Sequence, residues 1–108
     1  MKMLLDENIP FRLHKDFTGE HQVFSVNYMG WKSFTNGELL RRMLIEKFDA
    51  LITWDQNIQF QQNFQKYPIT VFVLRAPGND YADLKPLVPK LLEAIREGVK
   101  PGPIVIEI

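Results

Sequence analysis

A chain of 108 residues that is 45% hydrophobic and has no cysteine reads as one globular domain without disulfides or thiolate metal sites. Its 13 Lys and Arg balance its 13 Asp and Glu, so it lacks the net positive charge of a dedicated nucleic-acid binder. No apolar run approaches the length of a membrane span, and Met1-Lys2 leads into a strand-like segment where a signal peptide would have its longer apolar stretch, so no membrane contact and a cytoplasmic location are expected.

Along the chain, strand and helix patterns alternate. Lys2–Leu5 reads as a short buried strand, followed by the polar turn Asp6-Glu7-Asn8. Asn8 is placed to cap a helix with Pro10 in its first turn, Ile9, Leu13 and Phe17 at helical spacing, and Gly19 at its end. His21–Val26 is the second strand, and Asn27–Phe34 a loop carrying Tyr28, Trp31 and Phe34. Thr35-Asn36-Gly37-Glu38 opens a helix with Leu39, Leu40, Met43 and Leu44 on one face. Asp49–Thr53 is the third strand. Asn57–Lys66 suggests a short helix with Ile58 and Phe60 or Phe64 turned inward, broken by Pro68. Ile69–Leu74, β-branched and aromatic, is an internal fourth strand. Asp80–Glu97 carries the longest apolar stripe, from Leu84 to Ile95, although Pro86 and Pro89 interrupt it; Gly98 stops it. Ile104–Ile108 is the last strand, at an edge.

This alternation predicts an α/β fold: one three-layer domain with a mostly parallel five-stranded sheet and helices on both faces. The common order for five such units is 2-1-3-4-5, which makes strands 1 and 3 neighbours. Ligands in open α/β sheets bind beyond the carboxyl ends of the strands. Asp6 and Asp55, each just past an apolar strand, are therefore expected side by side, and paired carboxylates are the start of a site for a hard divalent cation.

The other polar residues near these turns have structural readings as well as functional ones. Asp55 reads as a helix N-cap or as an oxygen ligand facing Asp6. Glu7 is a second ligand or a solvated neighbour; Asn8 is a cap or a ligand, and Asn57 a cap or a partner of a metal-bound water. Thr35-x-x-Glu38 has the form of a capping box, in which Glu38 bonds back to the Thr35 amide, and the same Glu could serve a crevice site. Arg75, just past strand 4, is placed to meet phosphate. Tyr28, Trp31 and Phe34 could stack bases, although core packing is the commoner use of such a cluster. His14 and His21 fit no metal spacing.

The ordered series Asp6-Glu7-Asn8-Ile9-Pro10, Asn36-Gly37-Glu38-Leu39-Leu40 and Thr53-Trp54-Asp55-Gln56-Asn57, with the strand Val71–Arg75 and the leucine-rich last helix, resembles the small PIN-like domains of uncharacterised bacterial proteins. These are related to the VapC-type toxin ribonucleases. The resemblance implies a parallel α/β sheet whose carboxyl-edge acids hold Mg²⁺ or Mn²⁺ for hydrolysis of RNA phosphodiesters. It casts Asp6 as the first-strand metal ligand, Asp55 as the acid of the Thr-x-Asp turn, and Glu38 as the acid near the start of a middle helix. It also implies an antitoxin-like protein partner and a homodimer. Asn36 and Asn57 stand where many relatives carry Asp, and each exchange removes a negative charge.

Two other classes fit part of the pattern. A receiver-like phosphoacceptor domain also uses acids after strands 1 and 3. It needs a hydroxyl residue after strand 4, where Leu74-Arg75-Ala76 stands, and a Lys after strand 5, where the sequence has none. A non-catalytic interaction module with a degenerate metal site would use the aromatic loop and the Gln-rich stretch as partner surfaces.

Overall fold

Side chains that alternate between two covered faces along each strand set the architecture. The computed structural model describes residues 1–17, 19–58 and 63–108. Five strands, β1 (Lys2–Leu5), β2 (Gln22–Ser25), β3 (Ala50–Thr53), β4 (Thr70–Leu74) and β5 (Gly102–Ile106), form one parallel sheet in the order β2-β1-β3-β4-β5. Met3, Leu5, Ala50, Ile52, Phe72 and Leu74 point to one face; Leu4, Leu51, Val71 and Val73 point to the other. Both faces are covered, which is why β3 and β4 read as unbroken buried runs.

On the Met3 face lie a 3-10 helix (Phe11–Asp16) and the C-terminal helical segments, contributing Leu13, Leu84, Leu87, Val88 and Leu91. On the Leu4 face lie α1 (Val26–Met29) and α2 (Asn36–Ile45), contributing Val26, Leu39, Leu40 and Met43 beside Trp31 and Phe48. Full burial of one Leu or Phe side chain contributes about 1.5–3 kcal/mol, so two such layers account for much of the driving force. Among the described residues, no helix is long and apolar enough to cross a membrane.

Several local expectations are corrected. The segment after β1 is a 3-10 helix that starts after Pro10; Asn8 does not cap it, because its side chain bonds to the β3 turn instead. Part of the expected loop is helical: Ser25 Oγ accepts the Tyr28 amide and Gly30, at φ 74°, ends the α1 turn. The aromatic cluster divides, with Trp31 buried against Phe34 and Phe48, and Tyr28 in solvent. Leu44 lies at the exposed margin of α2. Of the expected helix 57–66, Ile58 is buried and Phe64 packs on the same layer, but residues 63–67 form a turn around Asn63; Phe60 lies outside the described residues.

The long C-terminal helix is three pieces: α3 (Tyr81–Leu84), a 3-10 turn (Lys85–Leu87) and α4 (Val88–Glu97). Pro86 and Pro89 have no N–H to give to the carbonyls four residues back, so the chain tightens at the first and restarts at the second. β5 begins two residues earlier than expected. Gly102 N and Ile106 O both bond toward β4, so the alternate residue Pro103 turns its nitrogen to the open edge, where a missing donor costs nothing.

Candidate functional site

β1 and β3 are hydrogen-bonded neighbours with Leu5 opposite Ile52, so the residues after each strand emerge together at the carboxyl edge. The Asp6 amide extends the ladder, donating to the Ile52 carbonyl at 2.9 Å. Its side chain is only 8% exposed, while Asp55 is half-buried beside it. Burial above all pushes the Asp6 carboxyl above its ordinary range. Hydrogen bonds from the Thr53 hydroxyl and the Glu7 amide pull it down, and the charges of Glu7 and Asp55 push it up again.

Thr53 organises the site, and the sequence reading did not single it out. Its Oγ1 accepts the Asp55 amide at 3.0 Å and the Asn8 Nδ2 at 3.4 Å. A hydroxyl has one hydrogen and two lone pairs, so that hydrogen is left for Asp6 Oδ2, 2.7 Å away. Asp6 Oδ1 accepts the Glu7 amide at 2.8 Å. The Asn8 orientation is set by the Trp54 amide, which donates to Asn8 Oδ1 at 3.1 Å and so turns Nδ2 toward Thr53. The available signal was a polar residue ending an otherwise apolar, fully buried strand.

Asp55 closes an Asx-type turn and is a neighbour of Asp6 at once. Its Oδ1 accepts the Asn57 amide at 3.0 Å, an Asx-type turn. Its Oδ2 accepts Asn36 Nδ2 at 3.5 Å, which brings the first turn of α2 to the site. Asn57 contributes its backbone, and its side chain is exposed. The turn is held from β4 as well: Trp54 Nε1 donates to the Ala76 carbonyl at 3.2 Å, and Gln56 Nε2 to the Leu74 carbonyl at 2.8 Å. Asn79 Nδ2 donates to the Asn8 carbonyl at 2.8 Å, tying in the loop after β4.

Glu38 and Arg75 are engaged elsewhere. Glu38 closes a capping box with Thr35, its Oε1 accepting the Thr35 hydroxyl at 2.8 Å, and it borders surface clefts with Arg41. Arg75 forms an ion pair with Glu107 at 3.2 Å, both side chains 53% exposed. Glu7 is exposed beside Asp6. Among the described residues, no group of three or more His, Asp or Glu comes together to hold a metal ion. The donors that do meet are the Asp6 and Asp55 carboxylates, since Asn36 and Asn8 turn their amide nitrogens to Asp55 and Thr53; carboxylate oxygens are the ligands that would hold a hard cation such as Mg²⁺ or Mn²⁺. Comparison with protein-family models, with curated proteins and with solved structures found no match to this chain.

Proposed function

We propose that this chain is a PIN-like nuclease that hydrolyses RNA phosphodiesters with a divalent cation, in the manner of a toxin paired with an antitoxin. The supporting observation is the buried Asp6 carboxylate beside Asp55, with no Lys, Arg or His ion-paired to either among the described residues. Two like charges in one partly desolvated turn cost free energy, and a hard cation between them offsets it.

Asp6 and Asp55 would hold Mg²⁺ or Mn²⁺. When bound, such an ion polarises a phosphoryl oxygen and acidifies a water molecule. The chain supplies orientation. Thr53 and the Glu7 amide fix the two Asp6 oxygens, while the Asn57 amide and Asn36 fix those of Asp55. Side chains held in this way lose little freedom on binding an ion, which favours affinity. The half-buried turn also limits water around the developing charge.

Calorimetric titration with Mn²⁺ should give heat for the wild type and none for Asp6→Asn combined with Asp55→Asn. RNA cleavage should fall at least about 100-fold in that variant and in excess EDTA. Cleavage that persists in EDTA refutes the reading. The neutral Asn36 and Asn57 and the capping role of Glu38 favour a second reading, a non-catalytic interaction module. Absence of Mn²⁺ heat in the wild type selects it.

A further inference from the structure

A cleft of about 290 Å³ opens beside Asp6, between the chain that follows β1 and the chain that follows β2. Phe11, from the 3-10 helix, and Tyr28, from α1, both border it, and they are 50% and 76% exposed. Those elements belong to opposite layers of the domain, so the cleft lies where the layers part at the β2 end of the sheet. The same two rings border a second, apolar hollow of about 220 Å³ with Val23 and Phe24. Each ring has one aromatic neighbour. Phe11 stacks on His14 with centroids 4.2 Å apart, and Tyr28 rests on Phe24 at 6.0 Å.

Exposed aromatic rings braced from behind and bordering a cleft are stacking platforms. The volume is just below the range that holds drug-sized ligands, so it suits one ring system. The polar lining is rich in acceptors. Glu7 lines the cleft and its carboxylate has no hydrogen bond or ion pair among the described residues, and Asn27 lines it as well. A flat ligand with amino hydrogens on its edge matches both features, because the ring faces meet Phe11 and Tyr28 and the hydrogens meet Glu7.

We propose that this cleft is a nucleobase subsite, and that it takes an unpaired base with an exocyclic amino group from single-stranded nucleic acid. The proposal rests on the nuclease reading of the Asp6–Asp55 pair, since a base seated here carries its own phosphodiester toward those acids. A base in a duplex cannot enter, because its amino edge is already paired and its faces are covered.

Cytosine and uracil differ at the exocyclic amino group and its carbonyl counterpart, so they make the test. Labelled oligocytidine and oligouridine of equal length are titrated by fluorescence anisotropy in Ca²⁺, together with oligocytidine annealed to its complement. The single cytidine strand should bind about five to ten times more tightly than the uridine strand, and the duplex more weakly than either. Tyr28→Ala or Phe11→Ala should weaken binding about tenfold, Tyr28→Phe should restore it, and Glu7→Gln should erase the cytidine preference. Both rings are exposed, so the variants keep the core intact and their Tm near that of the wild type.

Equal affinity for the two strands, indifference to both aromatic truncations, or preference for an arginine-rich peptide over either strand would overturn the proposal. Cleavage in Mn²⁺ is read separately. Binding that follows the pattern without cleavage leaves the subsite standing and removes the nuclease. Cleavage whose KM ignores Tyr28 and Phe11 does the reverse.

Discussion

The buried Asp6 carboxylate carries an energetic cost. Its carboxyl is raised from an ordinary value of 3.8 chiefly by burial, so the folded state prefers the neutral acid. The stabilising contribution of this group is therefore complete below the unfolded-state value and is lost as pH rises through the folded one. At pH 7 the ionised side chain opposes folding. Asp6→Asn should thus stabilise the metal-free protein at pH 7 by on the order of 1 kcal/mol, a Tm increase of about 4 °C, and the gain should vanish at about pH 3, below the unfolded-state value. The gain is bounded because an amide accepts hydrogen bonds at one oxygen where the carboxylate accepts at two. Thermal unfolding of both proteins at the two pH values checks this, and a lower Tm for Asp6→Asn at pH 7 contradicts it. At this scale the acids were legible, because an Asp just past an apolar run stands out in any sequence. Thr53 was not. Its significance lies in accepting from Asp55 and Asn8 while donating to Asp6, a pattern that exists only once β1 and β3 are paired.

Elements were legible where local and tertiary preferences agree. The α2 start was readable because Thr35 and Glu38 satisfy each other within one turn, with no help from the rest of the fold. The box also gives a test of what Glu38 does. Thr35→Ala should cost about 1 kcal/mol, whereas Glu38→Gln keeps the box and should leave stability and Mn²⁺ affinity near wild type. A large loss of Mn²⁺ affinity in Glu38→Gln, measured by calorimetry, would add Glu38 to the proposed metal ligands Asp6 and Asp55. Reading failed where the two preferences conflict. Asn8 has an N-cap residue's chemistry, but its side chain is drawn to the Trp54 amide across the sheet. The stripe from Leu84 to Ile95 has helical spacing, yet Pro86 imposes a 3-10 turn that spacing does not reveal.

For the whole molecule, alternating strands and helices gave a parallel α/β sheet, and the commonest order for five such units, 2-1-3-4-5, is the one found. That order then made the acids neighbours, so part of the site was readable through the fold. The extent of each strand was not, since the ladder decides which residues pair. The layers enclose a domain of 30 × 28 × 27 Å, in which Phe72 at the middle of β4 is fully buried. Phe72→Ala should cost about 3–5 kcal/mol, a large share of the about 5–15 kcal/mol typical of a domain. Urea unfolding reads this as a fall in midpoint at a nearly constant slope, and a loss below about 1 kcal/mol would mean that the layers repack around the cavity.

The outward-turned nitrogen of Pro103 also bears on self-assembly. An exposed edge strand is a template on which another chain can polymerise through its main chain. On β5 that template lacks the donor at Pro103, which interrupts a continuous run of bonds to an incoming strand. The other edge, β2, has four residues and no proline. Runaway fibre growth through stacked sheets requires two open edges on every subunit, and the described residues offer one and an interrupted second. Edge-to-edge joining would therefore favour the β2 side and stop at a pair.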